Sequence, residues 1–162
     1  MDRLWAPWRQ EYLDSESEEC IFCKLPSLRD DATNLILLRK KYTFLIMNKY
    51  PYNSGHLMVA PYRHISVFDS MQRKEFIEMM DLVSLSCKAL KLEYGAQGFN
   101  IGMNIGRAAG AGYEHLHMHV VPRWNGDTNF MPVISDTKVV PEQLNKTYSR
   151  LASAIDKIIK KR

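Results

Sequence analysis

The stretch that decides the fold is "HLHMHVV", His115 to Val121. The chain has five histidines, and three of them fall here at alternate positions. In a β-strand successive side chains point to opposite faces, and same-face neighbours recur every ~6.6 Å. Read as a strand, the segment puts His115, His117 and His119 on one face and Leu116, Met118 and Val120 on the other. A helix would bring His115 and His119 together and turn His117 away. The alternating apolar residues, the Val120–Val121 pair and the following Pro122 favour the strand. A single histidine is most often a satisfied core or surface residue. Three in strict alternation point instead to metal binding, or to acid/base and nucleophilic chemistry. The helical zinc-protease pattern needs H-E-x-x-H. Only Leu, His and Met separate His115 from His119, which excludes it.

Outward from that segment, the chain reads as one globular domain over residues 1–162, with an N-terminal extension at 1–19 and a C-terminal helix at 141–162. Hydrophobic residues make up 46%, enough for a packed core. No apolar run approaches the ~20 residues that a membrane helix needs. The start, "MDRLWAPWRQEYL", lacks the basic and apolar regions of a secretory signal, so a cytoplasmic protein without a membrane partner is expected. The net charge of +4 owes much to the terminal "IDKIIKKR". A dispersed excess of this size does not suggest a nucleic-acid polymer as partner. Three cysteines imply no disulfide framework. Cys87 falls in a helical pattern and reads as a small buried residue. The two tryptophans of "LWAPWR" are expected to pack on the core or on a second subunit, ahead of an acidic loop, "DSESEE".

Five short segments are rich in β-branched, aromatic and other apolar residues: "NLILL" from Asn34, "TFLIM" from Thr43, "HLMVA" from His56, "FNIGM" from Phe99, and the histidine segment. "PYNSG", Pro51 to Gly55, supplies a turn between the second and third. Short connections suggest antiparallel pairing. From Met71 to Leu92, Phe76, Met80, Val83, Cys87 and Leu90 recur at helical spacing. Asp69 and Gln72 suit a capping box, with Gly95 just beyond the end. A second helix is expected to start near Pro141, with Leu144, Tyr148, Leu151, Ile155, Ile158 and Ile159 as its apolar stripe. The order implies an α+β fold.

Gly106, Gly110 and Gly112 precede the histidines. Small residues let backbone N–H groups approach an anion such as phosphate. A loop of that kind feeding a histidine row suggests a histidine nucleophile attacking phosphorus. Separately, "ECIFCKL" contains C-x-x-C, which is half of a zinc site, a redox pair or two unrelated thiols.

These residues carry a resemblance. "HLHMHVV" is similar to the histidine-triad signature, His-x-His-x-His-x-x with x apolar. "FLIMNKYPYNSGHLMVAPYRH" and "GFNIGMNIGRAAGAGYEHLHMHVVPRWNGDTNFMPV" resemble the same superfamily, over roughly residues 20 to 135. The tail "PRWNGDTNF…TKVVPEQL" resembles the branch that includes bacterial diadenosine tetraphosphate phosphorylases. The resemblance implies a mainly antiparallel five-stranded sheet with a long central helix and a C-terminal helix. It also implies a homodimer with the two sheets joined.

By the same resemblance, His117 is the nucleophile that forms a nucleotidyl-histidine at the α-phosphorus of a dinucleoside polyphosphate. His119 contacts the transferring phosphate and assists the leaving group. Asn48 matches the position that bonds the ribose, and Phe22 and Ile46 match those that sandwich the base. Asn104 lies where an amide approaches phosphate, and His56 matches a fourth recurrent histidine. Gly112 departs from the Ser or Thr of many relatives, which leaves backbone N–H groups of Gly110, Ala111 and Gly112 as the phosphate contacts. In some bacterial relatives, and in galactose-1-phosphate uridylyltransferases, a Cys-Cys-His-His zinc site looks the same. Carried over, its ligands are Cys20, Cys23, His64 and His115, and four protein ligands make the zinc structural. Either water or phosphate serves as acceptor. A nucleoside phosphoramidase and a zinc-stabilised nucleotide-binding module with little turnover are the alternatives.

Overall fold

A computed structural model describes residues 19–127 and 142–161. The tryptophan pair, Pro141 and most of the tail lie outside them. Five strands form one antiparallel sheet: β1 (Ile36–Arg39), β2 (Thr43–Met47), β3 (Leu57–Pro61), β4 (Gly98–Gly102) and β5 (Met118–Arg123), in the order β1-β2-β3-β5-β4. The described residues also form three α-helices, α1 (Ile21–Ser27), α2 (Arg73–Tyr94) and α3 (Leu144–Lys160), and two short 3-10 helices, Phe68–Ser70 and Arg107–Ala109. The α+β architecture is as the resemblance implies.

The register draws one row across the sheet. Ile36 pairs with Ile46, Ile46 with Met58, Met58 with His119, and His119 with Gly102. Directly opposed residues share a face, so this row lies on one side. Leu45, Val59 and Met118, paired in the same way, lie on the other. There, α2 packs on β2, β3 and β5, and α3 packs on α2 and β1.

The histidine segment differs from expectation. Only His119 lies within regular strand, because β5 begins at Met118. Ahead of it the backbone leaves the ladder. The Leu116 N–H donates to Ile65 C=O at 2.7 Å, beyond the end of β3, and the His115 ring bonds Pro61 C=O. Hydrogen bonds outside the ladder, not sheet pairing, hold His115 and His117.

The long helix is turned in part from its expected stripe, of which Val83 and Leu90 are buried. Met79, Leu82, Val83, Ser86, Ala89 and Leu90 are buried, whereas Phe76 and Met80 are each 39% exposed. Both faces carry helical spacing, and a polar anchor selects between them. Glu78 accepts from Tyr42 N–H, Thr43 N–H and Thr43 Oγ at 2.7, 2.8 and 2.9 Å. The anchor holds α2 over the β1–β2 turn, and small Ser86 and Ala89 face inward. The capping box is Gln72 with Glu75 rather than Asp69 with Gln72. Arg63 forks onto the same Glu75 carboxylate at 2.9 and 2.8 Å, which fixes that register. Gly95 ends the helix in the left-handed conformation, φ 59°. α3 starts at Leu144 with Gln143 as N-cap, three residues after the expected start. Its Leu151, Ala154 and Ile155 are buried, and the Tyr148 hydroxyl donates to Ile36 C=O.

The β2–β3 connection runs from Asn48 to His56. Gly55 there has φ 80°, and a Cβ on it would lie 2.8 Å from Leu90 Cδ2. Backbone twist and a close approach to α2 both require glycine at that position.

Candidate active site and metal centre

α1 positions two functions at once. Cys20 is its N-cap, and the Cys23 and Lys24 N–H groups bond back to Cys20 C=O. That first turn holds both thiols together. Cys20 Sγ is 3.4 Å from His115 Nδ1, and Cys23 Sγ is 3.3 Å from His64 Nδ1 and 3.6 Å from His115 Nδ1. The four ligand atoms lie within 4.8 Å of one another. Zinc bound tetrahedrally at ordinary Zn–S and Zn–N lengths separates S and N ligands by about 3.5 Å. The donor set therefore fits a zinc ion by both spacing and chemistry. Burial pushes the His115 imidazole down to about 4, so the ring is neutral at neutral pH, as a ligand must be. Its Nε2–H donates to Pro61 C=O at 2.9 Å, leaving Nδ1 as the lone pair that faces the thiols. Burial, with Cys20 alongside, pushes the Cys23 thiol up. A cation between the two sulfurs would reverse that preference.

Phe22, on the same turn, is 1% exposed. Its ring stacks on His117 at 4.5 Å and 26°, and lies 5.4 Å from His115. The expected base-sandwiching residue thus also supports the nucleophile candidate. The His117 Nδ1–H donates to His115 C=O at 2.7 Å. A carbonyl only accepts, so the proton sits on Nδ1 and Nε2 carries the lone pair. Burial lowers the His117 pKa, which keeps that lone pair free.

A second chain of bonds fixes His119. Tyr52 N–H donates to His56 Nδ1 at 3.2 Å, and Asn48 Nδ2 reaches the same atom at 3.2 Å. Nδ1 of His56 is therefore an acceptor and its proton is on Nε2. That Nε2–H donates to His119 Nδ1 at 3.0 Å, which places the His119 proton on Nε2. His117 thus offers a lone pair and His119 a proton, with ring centres 4.7 Å apart. The sequence left His56 without a defined role, because the backbone N–H that sets its tautomer belongs to a loop.

Both rings open on a cavity of about 530 Å³, on the face away from α2. Phe22, Ile46, Asn48, Asn104, Gly110 and Gly112 also line it, bringing together most of the expected substrate contacts. Asn48 Oδ1 accepts from Tyr50 N–H at 2.9 Å, which orients the amide. Asn104 Nδ2 lies 3.5 Å from Gly110 C=O, across the small-residue loop. That loop departs from expectation. The Gly110 N–H bonds Arg107 C=O and the Ala111 N–H bonds Gly106 C=O, closing the turn on itself. Ala111 does not line the cavity. Of the three backbone donors expected to meet phosphate, two serve the turn, and the Gly112 N–H is left for an anion. Leu25, Leu35 and Met58 also line the cavity and were not singled out from the sequence. Leu35 reaches it only through a left-handed backbone, φ 59°, which a leucine does not advertise.

A short helix carrying two thiols and a histidine pair of opposite tautomers thus meet at a cavity of nucleotide size. The HIT domain is matched over residues 29–126, and the chain belongs to that family, as one of its nucleotide-processing enzymes. Its sequence is 39% identical to an AP-4-A phosphorylase of Mycobacterium tuberculosis, over 94% of this chain and 84% of the relative. Among solved structures, a hypothetical histidine triad nucleotide-binding protein of Sulfolobus tokodaii aligns with TM-score 0.69 and 27% identity, over 88% of this chain and 93% of the other. A zinc-bound histidine triad family protein of Mycobacterium smegmatis aligns with TM-score 0.72 over 90% and 99%. At 24% identity that likeness concerns the fold.

Proposed function

We propose that the protein splits dinucleoside polyphosphates at the α-phosphorus through a nucleotidyl-histidine on His117. The observation that carries this reading is the 2.7 Å bond from His117 Nδ1–H to His115 C=O, which leaves Nε2 as a lone pair facing the cavity. In the first step Nε2 forms a bond to phosphorus, and the bond from phosphorus to the bridging oxygen of the departing nucleotide breaks. The His119 Nε2–H donates to that oxygen. In the second step an acceptor oxygen attacks phosphorus, its proton passes to His119 Nε2, and the P–N bond breaks, which restores both histidines. Inorganic phosphate as acceptor releases ADP, and water releases AMP. The likeness to a relative named AP-4-A phosphorylase favours phosphate.

Cys20, Cys23, His64 and His115 would hold a zinc ion. With four protein ligands it takes no substrate. It would lock α1 and the His115 backbone, and through that carbonyl the His117 ring. The exposed β4 edge suits a homodimer with joined sheets. No helix among the described residues is long and apolar enough to cross a membrane, in keeping with a cytoplasmic enzyme.

The test is product analysis with diadenosine tetraphosphate, with and without phosphate. ADP and ATP formed only with phosphate identify a phosphorylase, and AMP and ATP without phosphate a hydrolase. His117→Ala should bind AMP yet form no product. Turnover surviving in His117→Ala would refute the covalent route.

A further inference from the structure

The cavity is longer than the catalytic groups need, and its other end is built from different residues. The histidines stand by β5. At the opposite end, Asn34 and Leu35 enter β1, three strand spacings away across the sheet. At the usual strand separation that is about 14 Å, the reach of a nucleotide laid along the row Ile36–Ile46–Met58–His119.

The turn from Asp30 to Ile36 is closed by its own hydrogen bonds. Asn34 N–H donates to Asp30 C=O, Leu35 N–H to Ala32 C=O, and Ile36 N–H to Asp31 C=O, at 3.0, 3.3 and 2.8 Å. With Leu35 left-handed, this is the bond pattern of a Schellman cap. Glycine normally takes that place, and a leucine there is strained. The Leu35 side chain is nevertheless buried against the core and lines the cavity, and its C=O accepts from Met47 N–H of β2. The fold thus retains a costly residue where it shapes the end of the cavity.

Beside it, the Asn34 amide is held. Its Nδ2 donates to Asp30 C=O at 2.7 Å. Since a carbonyl can bond only the NH2 end, Oδ1 is assigned as the atom left over. Asn34 is half-buried in the cavity wall, whereas Thr33 and Asn145 alongside it are exposed. Oδ1 is thus an acceptor in the cavity wall available to a base that presents a donor there.

The geometry points to Asn34 as the residue that reads the base edge, accepting a hydrogen bond from the exocyclic amino group of adenine. This rests on the nucleotide reading above and adds to it a substrate preference and the residue that sets it. A 6-oxo purine would set its carbonyl oxygen against Oδ1, two acceptors with no proton between them. A site built to bond a polar group rejects an analogue that cannot complete the bond, by more than apolar contacts achieve.

Calorimetric titration of the whole protein with AMP, IMP, CMP and UMP tests the inference. AMP should bind at least tenfold more tightly than IMP, and more tightly than CMP, whose amino group is the same donor on a smaller ring. In Asn34→Ala the AMP-to-IMP ratio should collapse toward one. Equal binding of AMP and IMP by the wild type overturns the inference without any variant. So does a ratio that survives in Asn34→Ala, and so does tighter binding of CMP than AMP. If AMP does not bind at all, the nucleotide reading fails and the inference falls with it.

Discussion

Replacing His56 by phenylalanine separates positioning from chemistry. The ring volume is nearly kept, but three hydrogen bonds go. Tyr52 N–H and Asn48 Nδ2 lose their acceptor, and His119 Nδ1 loses its donor. His56 is 1% exposed, so water does not readily replace these partners. At roughly 1–3 kcal/mol for each buried group left unpaired, the two orphaned donors cost about 2–6 kcal/mol. In a chain of this size, that lowers Tm by about 2–4 °C per kcal/mol. The kinetic effect follows from the tautomer. Without the bond that fixes the proton on Nε2, His119 loses about 1 kcal/mol of preference for its donating form. Together with a looser ring, kcat for diadenosine tetraphosphate should fall roughly 10- to 100-fold, below the full contribution of a general acid. A p-nitrophenyl ester of AMP, whose leaving group departs without a proton, should lose only a few-fold. His56→Gln, which keeps a donor near the old Nε2, should recover part of the dinucleotide rate. Steady-state kinetics on both substrates and a thermal melt suffice. Equal losses on both substrates would refute the relay, because a merely structural defect would not distinguish leaving groups.

The metal centre and the acid limb of stability give two further outcomes. Purified protein should carry one zinc per chain by elemental analysis. Cys23→Ser should lose it and melt at lower temperature, and the kcat of whatever remains folded should fall because His115 C=O holds His117. Well under one zinc in the wild type would count against the four-ligand site. Asp127 is held down to about 2, chiefly by the Arg123 guanidinium, with Trp124 N–H and the Asn53 amide also donating. Its folded pKa lies below its unfolded one. The stabilisation is therefore present above about pH 4, shrinks as pH falls, and is lost below about 2. It is worth at most about 2 kcal/mol, and less in salt because Arg123 is partly exposed. Asp127→Asn should be less stable than wild type by denaturant unfolding at pH 7, with the gap closing toward pH 2. A gap independent of pH would show that the ion pair contributes nothing.

Local pattern carried much of the fold in advance. Short apolar runs bounded by turn residues marked all five strands within a few residues, and helical spacing marked the two long helices. Spacing could not decide rotation: the stripe on α2 and the face actually buried have the same period. Glu78, bonded to a turn thirty-five residues earlier, and Glu75, bonded to Arg63, anchor the face that is buried. The zinc half-site and the histidine row were visible as motifs because a short turn or a strand fixes such groups within a few residues. Cys20, Cys23, His64 and His115 meet because β3, β5 and α1 converge, which no local spacing states. The backbone donors of Gly110 and Ala111 were misjudged for the same reason, since nothing in small-residue composition shows that a loop bonds to itself.

What the sequence determined by itself is the set of chemical groups and their order along the chain: thiols, a fourth histidine, a small-residue loop and the histidine row. What only tertiary structure decided is the state of each ring. His117 and His119 are the same residue type two positions apart. One keeps a lone pair and the other a proton, because a carbonyl meets the first at Nδ1 and a donor meets the second. A carbonyl two residues away selects one tautomer and a histidine sixty-three residues away selects the other, so the two rings present different atoms to the cavity.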